Sequence, residues 1–220
     1  MKILCISDQI DPLIYTNSIR QRFADVDIIL SAGDLPLDYL DFIVSSLNKP
    51  MFFVFGNHHL NEYPKYRGIQ DPYSEFEAAI PTGCGAVHIG SKVKYQEGII
   101  IAGLGGCIRY NHEANQYTEF QMKLEILKLL PALIFNRIFR GRFLDILLTH
   151  ACPLGIHDKK DKCHQGFKSF LWFMRAFKPR WLIHGHTHLY DLCEERISKY
   201  CDTLVINAYG HYRIDTGENT

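Results

Sequence analysis

The 220-residue sequence lacks several features that would place it in a specialised class of protein. None of its apolar runs reaches the roughly 18 residues that indicate a membrane span. The formal net charge is zero, so no overall basic field exists to attract nucleic acid or an anionic membrane. The seven cysteines contain no Cys-x-x-Cys pair, which argues against a disulfide framework and a four-cysteine zinc site. The sequence therefore predicts a protein of the reducing cytoplasm, with no membrane span and no strong nucleic-acid signal.

Internal repeats, low-complexity tracts and flexible linkers are also missing, which favours one domain over residues 1–215 with a frayed tail at 216–220. The chain instead alternates short apolar runs with helix-like segments, as is typical of the α/β class with largely parallel strands. Strands are predicted at residues 2–7, 27–31, 51–55, 98–102, 145–149, 181–183 and 203–207. Helices are predicted at residues 18–24, 37–46, 74–79, 118–139 and 166–177. The later strands and a closing hairpin at 203–214 suggest a second sheet.

Polar side chains follow five of the predicted strands at the point where each strand ends. These residues are Asp8, Asp34, Asn57 with His58, His150, and His186 with His188. Loops at the carboxyl ends of strands in an open α/β sheet converge on one crevice, so we expect these side chains to lie together. Buried carboxylates are costly, and a metal ion is the usual compensation. Oxygen and imidazole ligands without cysteine suit manganese, iron or zinc, and their number suits two ions that share a carboxylate.

The motifs at these strand ends are SD, GD, GNH, TH and GHTH, in that order. Together they resemble the motifs of the calcineurin-like metallophosphoesterase superfamily, over nearly the whole chain from Asp8 to His188. The resemblance implies a four-layer αββα sandwich, in which two mixed β-sheets are flanked by helices. It also implies a metal-dependent phosphohydrolase that acts on a small phosphorylated substrate or a nucleotide. Diesters are favoured over monoesters, because nothing resembles the extra loops of the protein phosphatases.

The resemblance further implies a role for each polar residue. The cofactors would be two divalent transition-metal ions, for which manganese is favoured and iron or zinc are the alternatives. Asp34 would bridge them. The other ligands would be Asn57, His150 and His186 for one ion, and Asp8 and His188 for the other. A metal-activated hydroxide would attack phosphorus in line, and His58 would act as the general acid that protonates the leaving oxygen.

The sequence departs from the family pattern in two places. The first family motif is Asp-x-His, but Ile10 stands where the histidine would be, which leaves that ion with three protein ligands. Asp11 could compensate, although its position before a proline is typical of a turn. The family commonly has an acidic residue after GNH, where this chain has His59. Asp38 is then a weak candidate partner for His58.

Two polar loops, at residues 103–117 and 150–167, resemble those of a bacterial subgroup of the superfamily and supply candidate substrate contacts. The candidates are Arg109, Asn111, His157 and His164. Arg109 could grip a phosphate oxygen through its guanidinium fork, and an exposed turn is an equal alternative for its loop. His184 still belongs to the predicted strand, so we assign it a structural role.

Residues 129–142 join an apolar helical stretch to several arginines. The stretch could lie on a membrane or a partner, but its periodicity favours an apolar face that covers a sheet. Pro131 is expected to kink or restart this helix. Two functional alternatives stay open: a catalytically weak or inactive scaffold, to which Ile10 points, and a nuclease subunit of a larger complex. The sequence leaves the oligomeric state open.

Overall fold

The near-continuous apolar runs of the sequence form the strands of two large mixed β-sheets. Along the chain, helices separate several of these strands. The computed structural model describes residues 1–58, 85–191 and 193–217, so the helix predicted at 74–79 lies outside the described residues. The strands are β1 (Lys2–Ser7), β2 (Ile28–Ser31), β3 (Met51–Phe53), β4 (Val87–His88), β5 (Lys92–Gln96), β6 (Ile99–Leu104), β7 (Cys107–Ile108), β8 (Gln116–Tyr117), β9 (Ile146–Thr149), β10 (Trp181–His184), β11 (Ile197–Tyr200), β12 (Thr203–Asn207) and β13 (Gly210–Asp215). The helices are α1 (Ile19–Phe23), α2 (Leu37–Leu47), α3 (Glu119–Arg140) and α4 (Lys168–Phe177).

The sheets place parallel strands side by side at their centres. The first sheet has the order β13-β1-β2-β3-β4, in which β1 to β4 are parallel and β13 is antiparallel to β1. The second has the order β11-β12-β10-β9-β6-β5, in which the inner four strands are parallel and both edge strands are antiparallel. Because neighbouring parallel strands end at the same edge, the loops that follow β1, β2 and β3, and those that follow β9 and β10, are brought together.

Alternate residues of β1 face different layers of the molecule. Ile3 and Cys5 pack between the two sheets, in a cluster that includes Ile146 and Ile183 of the second sheet. The residues that alternate with these two on β1 point to the opposite face of the sheet, where they pack under α1 and α2. The outer face of the second sheet is covered by α3 and α4. The predicted four-layer αββα sandwich is thereby confirmed.

The long helix α3 begins at a capping box. The Thr118 hydroxyl accepts a hydrogen bond from the Gln121 backbone, and the Gln121 side chain accepts one from the Thr118 backbone. The helix runs from Glu119 through Pro131 to Arg140, with Gly141 as its C-cap, so it does not restart at the proline, and the alternative of a kink stays a prediction. Pro131 faces solvent, where water can hydrate the carbonyl that has lost its N–H partner. No helix in the described parts of the chain is long and apolar enough to cross a membrane.

The predicted closing hairpin is wrong, because β12 and β13 belong to different sheets. β12 pairs parallel with β10, and β13 pairs antiparallel with β1. The chain crosses between the sheets at Ala208, whose N–H donates to the His184 carbonyl over 2.7 Å. The Asn207 side chain holds the crossing, since it donates to the Thr187 carbonyl over 2.7 Å and accepts from the Tyr209 N–H over 2.9 Å. This link joins the sheets beside the loop that follows β10.

The predicted tail at 216–220 begins with residues that bond to the rest of the chain. The Thr216 N–H donates to the Met1 carbonyl over 2.9 Å, and the Gly217 N–H donates to the Asp215 carboxylate over 3.0 Å. Residues 218–220 lie outside the described residues. The assignment of residues 1–215 to a single domain stays a prediction.

Candidate metal centre

The polar residues at the strand ends lie in sharp turns. Asp8, Asp34 and His186 have φ angles of 62°, 56° and 65°, in the left-handed region that residues other than glycine seldom occupy. Such backbone strain is typically found where the surrounding fold holds a functional side chain in place. In each case the turn comes directly after, or within three residues of, the end of β1, β2 or β10.

The glycines of the GNH and GHTH motifs allow the backbone to approach the carboxylates closely. A Cβ atom at Gly56 would overlap the Asp34 carboxylate, and one at Gly185 would overlap the Asp8 carboxylate and the Ser7 hydroxyl. The glycines therefore act as packing residues for the metal centre.

His150 is the best-defined residue of the centre. Its ring is fully buried, and its Nδ1 lies 2.8 Å from the Ala32 carbonyl. A carbonyl only accepts hydrogen bonds, so Nδ1 carries the proton and the tautomer is fixed. Its Nε2 faces two oxygens that are themselves acceptors, Oδ1 of Asn57 at 3.1 Å and Oδ2 of Asp34 at 3.2 Å. The Nε2 atom and these two oxygens all direct lone pairs at one point. A cation must therefore lie among them, either a proton on Nε2 or a metal ion.

The electrostatics of this pair agree with that geometry. Burial alone would lower the pKa of His150, but the charge and hydrogen bond of Asp34 outweigh it and raise the pKa to about 9. Burial likewise acts to raise the pKa of Asp34, but His150 outweighs it and the pKa falls well below its usual range. The site therefore favours one positive charge beside a carboxylate, which is the environment that a metal ion needs.

His186 is held in the form of a neutral ligand. Its Nε2 lies 2.6 Å from the Cys163 carbonyl, so this nitrogen carries the proton and Nδ1 keeps its lone pair. Burial lowers the pKa of His186 to about 3, so the ring stays neutral, as metal binding requires. Ligand atoms of Asp34, His150 and His186 all lie within 4.8 Å of one another. This buried group can hold a divalent ion.

Asp8 and His188 lie at the second part of the centre. The Asp8 carboxylate accepts the His186 backbone N–H over 3.0 and 2.9 Å, and burial raises its pKa. The Nε2 atom of His188 lies 3.8 Å from Asp8. His188 is partly exposed, and its Nδ1 contacts the Tyr190 hydroxyl at 2.9 Å. A buried carboxylate beside an imidazole at the mouth of the site suits a second, more open ion position.

The residues beside the first motif do not extend this second position. Ile10 offers no ligand atom, and its apolar side chain is 43% exposed. Asp11 has other partners: its carboxylate lies 2.5 Å from His211 Nδ1 and accepts the Leu13 N–H over 2.8 Å, as expected for a turn. Neither Ile10 nor Asp11 therefore adds a free ligand atom beside Asp8 and His188.

His58 differs from the ligands because its side chain is exposed. Its backbone N–H donates to the Asp34 carboxylate over 2.8 Å, which fixes the chain but leaves the imidazole outside the ligand cluster. Asp38 is exposed in the first turn of α2. His59 lies outside the described residues. The structure thus places His58 at the rim, where a side chain can meet a bound substrate.

Two residues that the sequence analysis missed hold the GNH loop. The Asn57 amide donates to the Tyr110 hydroxyl over 3.2 Å, which leaves its carbonyl oxygen facing His150. The Asn115 amide donates to the Phe55 and Gly56 carbonyls over 3.1 and 2.5 Å. Both belong to the loop at 103–117, so this loop supports a ligand of the centre. Its length and glycine content pointed to a substrate loop or a turn, and no local pattern indicated these long-range bonds.

Replacement of Tyr110 by Phe is expected to weaken metal binding, because the Asn57 amide loses the partner that orients it. Groups that orient ligands typically contribute about 10–100-fold in metal affinity or activity. The dissociation constant for Mn²⁺ should therefore rise by about tenfold. Tyr95→Phe, at an exposed tyrosine on β5, is the matched control. An unchanged dissociation constant in Tyr110→Phe would show that this bond does not orient the ligand.

Three candidate substrate contacts occupy structural networks. Arg109 is exposed and donates to the Gln116 carbonyl over 3.2 Å. The buried Gln116 side chain in turn binds Asn111, with 2.5 Å between the Gln116 amide nitrogen and the Asn111 side-chain oxygen. His157 joins β10 to β11, since its two nitrogens each lie 2.8 Å from a partner, Nε2 of His184 and the Ser198 hydroxyl. The predicted structural role of His184 fits this network.

His164, the fourth candidate, does lie beside the metal centre. Its ring packs against the His186 ring with 5.2 Å between centroids, and its Nδ1 lies 2.7 Å from the Asp161 carboxylate. Asp161, Cys163 and His164 also bring their ligand atoms within 4.8 Å of one another. These three residues belong to one partly exposed loop and bond to each other, whereas the cluster around Asp34 is buried and drawn from separate strands.

The His150–Asp34 pair makes the metal-free protein sensitive to pH. A pKa of about 9 in the fold exceeds the ordinary value of 6.5, so the stabilisation is complete below pH 6.5 and is lost as pH rises through 9. The loss should be on the order of 2–3 kcal/mol, or several degrees in Tm. Calorimetry of the metal-stripped protein between pH 6 and 9.5 measures it, with His150→Gln as the comparison. A Tm that falls equally in both proteins would contradict this assignment.

Comparisons with known proteins agree with the fold. A family model described as calcineurin-like phosphoesterase matches residues 1–190. One crystal structure has a TM-score of 0.64 at 14% identity and covers 98% of this chain and 95% of its own. A crystal structure from Thermus thermophilus has a TM-score of 0.62 at 15% identity and covers 95% of this chain and 89% of its own. At such identities the likeness shows the fold alone, and no curated protein matches the sequence.

Proposed function

The chain belongs to the calcineurin-like phosphoesterase family, and from this premise we propose that it is a metal-dependent phosphodiesterase. The proposal rests on the contact between the buried side chains of Asp34, Asn57 and His150, whose acceptor atoms face one point. The arrangement favours one positive charge among these atoms, which a proton on His150 supplies in the metal-free protein and a divalent cation would replace. The donor set of carboxylate, amide and imidazole, with tautomers fixed by backbone carbonyls, fits a divalent transition metal.

The proposed metal ligands divide between two positions. Asp34 would bridge them, with Asn57, His150 and His186 at the buried position and Asp8 and His188 at the open one. Bound divalent ions would supply a water molecule of lowered pKa and neutralise charge on the phosphoryl oxygens. Manganese is proposed first, because oxygen and nitrogen ligands without thiolate favour it over softer ions.

The chain's own residues have separate tasks around these positions. His58, at the rim, gives a proton to the leaving oxygen. His164 is oriented by Asp161 and contacts a non-bridging oxygen or the second ester group of the substrate. His186 and His150 keep their outer nitrogens bonded to backbone carbonyls, so the ligand atoms stay in place during turnover.

The preference for diesters is supported by the charge at the rim. A phosphate diester carries one negative charge, whereas a monoester carries up to two near neutral pH. Of the cations described near the centre, Lys159 is already engaged, because its amino group donates to the His188 carbonyl over 3.0 Å and lies over the Tyr190 ring. Arg109 bonds within its own loop. Both side chains keep their charge, but their hydrogen bonds hold them away from a second charged phosphoryl oxygen, so the single charge of a diester fits this rim better.

The test is hydrolysis by the metal-stripped protein after addition of Mn²⁺. Saturable activity is expected on bis-p-nitrophenyl phosphate, with kcat/KM at least about tenfold above that on p-nitrophenyl phosphate. A preference for the monoester would contradict the diester assignment while leaving a phosphohydrolase. No activity with Mn²⁺, Fe²⁺, Zn²⁺ or Ni²⁺ would overturn the proposal.

His164→Ala is expected to raise KM for the diester by about tenfold with a smaller change in kcat, because the contact is made in both ground and transition states. Asp161→Asn should have a weaker effect in the same direction, since it leaves the imidazole in place but less well oriented. His112→Ala, at an exposed histidine of the loop 103–117, is the control. A kcat that falls at constant KM would instead give His164 a role in the chemical step.

A further inference from the structure

The outer side of α3 carries apolar side chains that the fold leaves exposed. Six of them are between 42% and 69% exposed: Phe120, Leu124, Leu127, Ile134, Phe135 and Ile138. Phe120, Leu124, Leu127, Ile134 and Ile138 are spaced by three, four or seven residues, and Phe135 adjoins Ile134, so all six lie on one face of the helix. Phe139, 70% exposed, extends this face at its end. We call these residues the outer stripe.

The outer stripe lies opposite the face that α3 uses for folding. Met122, Ile126, Leu129 and Leu133 are buried against the second sheet. The sequence periodicity favoured a single apolar face that covers a sheet, and the structure contains that face. The helix therefore has two apolar faces, and the second contributes nothing to the core. A continuous exposed apolar surface of this kind marks an interaction site.

The charged residues of α3 leave a basic rim along the outer stripe. Both acidic residues of the helix have partners, and one of these partners is a lysine of the same helix. The Glu119 carboxylate accepts the backbone N–H groups of Lys168 and Ser169 over 2.5 and 3.1 Å, at the start of α4. The Glu125 carboxylate accepts the Ser91 hydroxyl over 2.5 Å and pairs with Lys128 over 2.6 Å.

The remaining charges of the helix are all positive. Among the described residues, Lys123, Arg137 and Arg140 of α3 have no acidic partner, whereas Lys128 pairs with Glu125 and Arg142, after the helix, pairs with Asp145. Lys123 and Lys128 are exposed on either side of the stripe by helical spacing. An apolar ridge with cationic flanks is the pattern of a helix that lies in the boundary of an anionic bilayer.

We propose that the outer stripe docks this protein onto the surface of a membrane that contains anionic lipid. The apolar side chains enter the boundary between headgroups and acyl chains, and the flanking lysines and arginines meet the headgroup phosphates. A bilayer accepts a convex ridge without a matching pocket, whereas a protein partner is usually gripped through an anchor in a pocket. A second copy fits less well, because α3 carries four basic and two acidic residues, so pairing two such helices brings like net charges together.

The placement of α3 makes this docking geometrically direct. The helix covers the outer face of the second sheet, and its outer stripe is exposed on the side away from that sheet. It also follows immediately after the loop 103–117, which holds Asn57 through Tyr110. Docking would thus keep the metal centre close to the membrane surface, at the end of the helix that starts with Glu119.

Flotation with vesicles tests the proposal on the full chain. Vesicles of phosphatidylcholine with about 30 mol% phosphatidylglycerol should bind at least about tenfold more protein than vesicles of phosphatidylcholine alone, and high salt should reduce the difference. Ile134→Ser/Ile138→Ser should lower binding to the anionic vesicles by about tenfold. Lys123→Glu should lower it several-fold. Leu13→Ser/Ile197→Ser and Lys199→Glu change exposed residues outside α3 and should leave binding unchanged.

Sedimentation of each protein without vesicles distinguishes a bilayer from the other candidates for covering the outer stripe, which are a second copy and a protein partner. The proposal expects a Tm that differs little among the variants and no change in mass on Ile134→Ser/Ile138→Ser. A dimer that this pair of substitutions dissociates, without flotation of the wild type, would identify a second copy as the occupant and overturn the proposal. A monomer that ignores anionic vesicles would overturn it in favour of a protein partner. Equal loss of flotation in the control variants would also overturn it.

Discussion

Asp34→Asn is expected to abolish metal-dependent hydrolysis of bis-p-nitrophenyl phosphate, with a fall in kcat/KM of at least about 10³-fold. Asparagine keeps the shape of the side chain and can still accept the His58 N–H, but it removes the negative charge. That charge raises the pKa of His150, and the carboxylate that carries it would bridge both metal positions. The loss should therefore appear in metal content as well as in rate. Metal analysis after dialysis against Mn²⁺ measures the first and initial rates measure the second.

The control for this prediction is Asp38→Asn. Asp38 is an exposed carboxylate four residues further along the chain, in the first turn of α2, so it tests removal of one negative charge away from the centre. Its activity and metal content should match those of the wild type. If Asp34→Asn kept more than about a tenth of the wild-type rate, the buried cluster would not be the catalytic centre.

Much of the fold and of the centre follows from simple regularities in the sequence. Buried parallel strands read as continuous apolar runs, so β1, β9 and β10 could be located. The rule that loops at the carboxyl ends of neighbouring strands meet places Asp34 at one edge of the first sheet and His150 at one edge of the second. Their contact also depends on how the two sheets pack, which no local pattern of the sequence shows.

Other features depend on tertiary contacts that leave no local pattern. The bond between Asn57 and Tyr110 joins residues from separate loops, and the sequence around Tyr110 indicates only a polar loop. The hairpin prediction failed because β12 and β13 are close in sequence but each pairs with a strand of a different sheet. The second apolar face of α3 was missed because periodicity shows that a helix has apolar positions, but not how many faces the core can cover.

His58→Ala is expected to lower kcat by about 10²–10⁴-fold on diesters with poor leaving groups, while metal content stays unchanged. The reason is that His58 contacts Asp34 through its backbone N–H, which alanine retains, while its exposed side chain is the part available to the substrate. The substitution therefore separates proton transfer from metal binding, which Asp34→Asn cannot do.

The leaving group gives this prediction a sharper form. p-Nitrophenolate departs readily without a proton, so the loss in His58→Ala should be much smaller for bis-p-nitrophenyl phosphate than for a diester with an unactivated phenyl or alkyl group. His112→Ala, at an exposed histidine of another loop, should affect neither substrate. Equal losses on both diesters would show that His58 binds the phosphoryl group instead of donating a proton. A rate that is unchanged on both would remove His58 from the mechanism and leave the metal centre to act without a general acid from this loop.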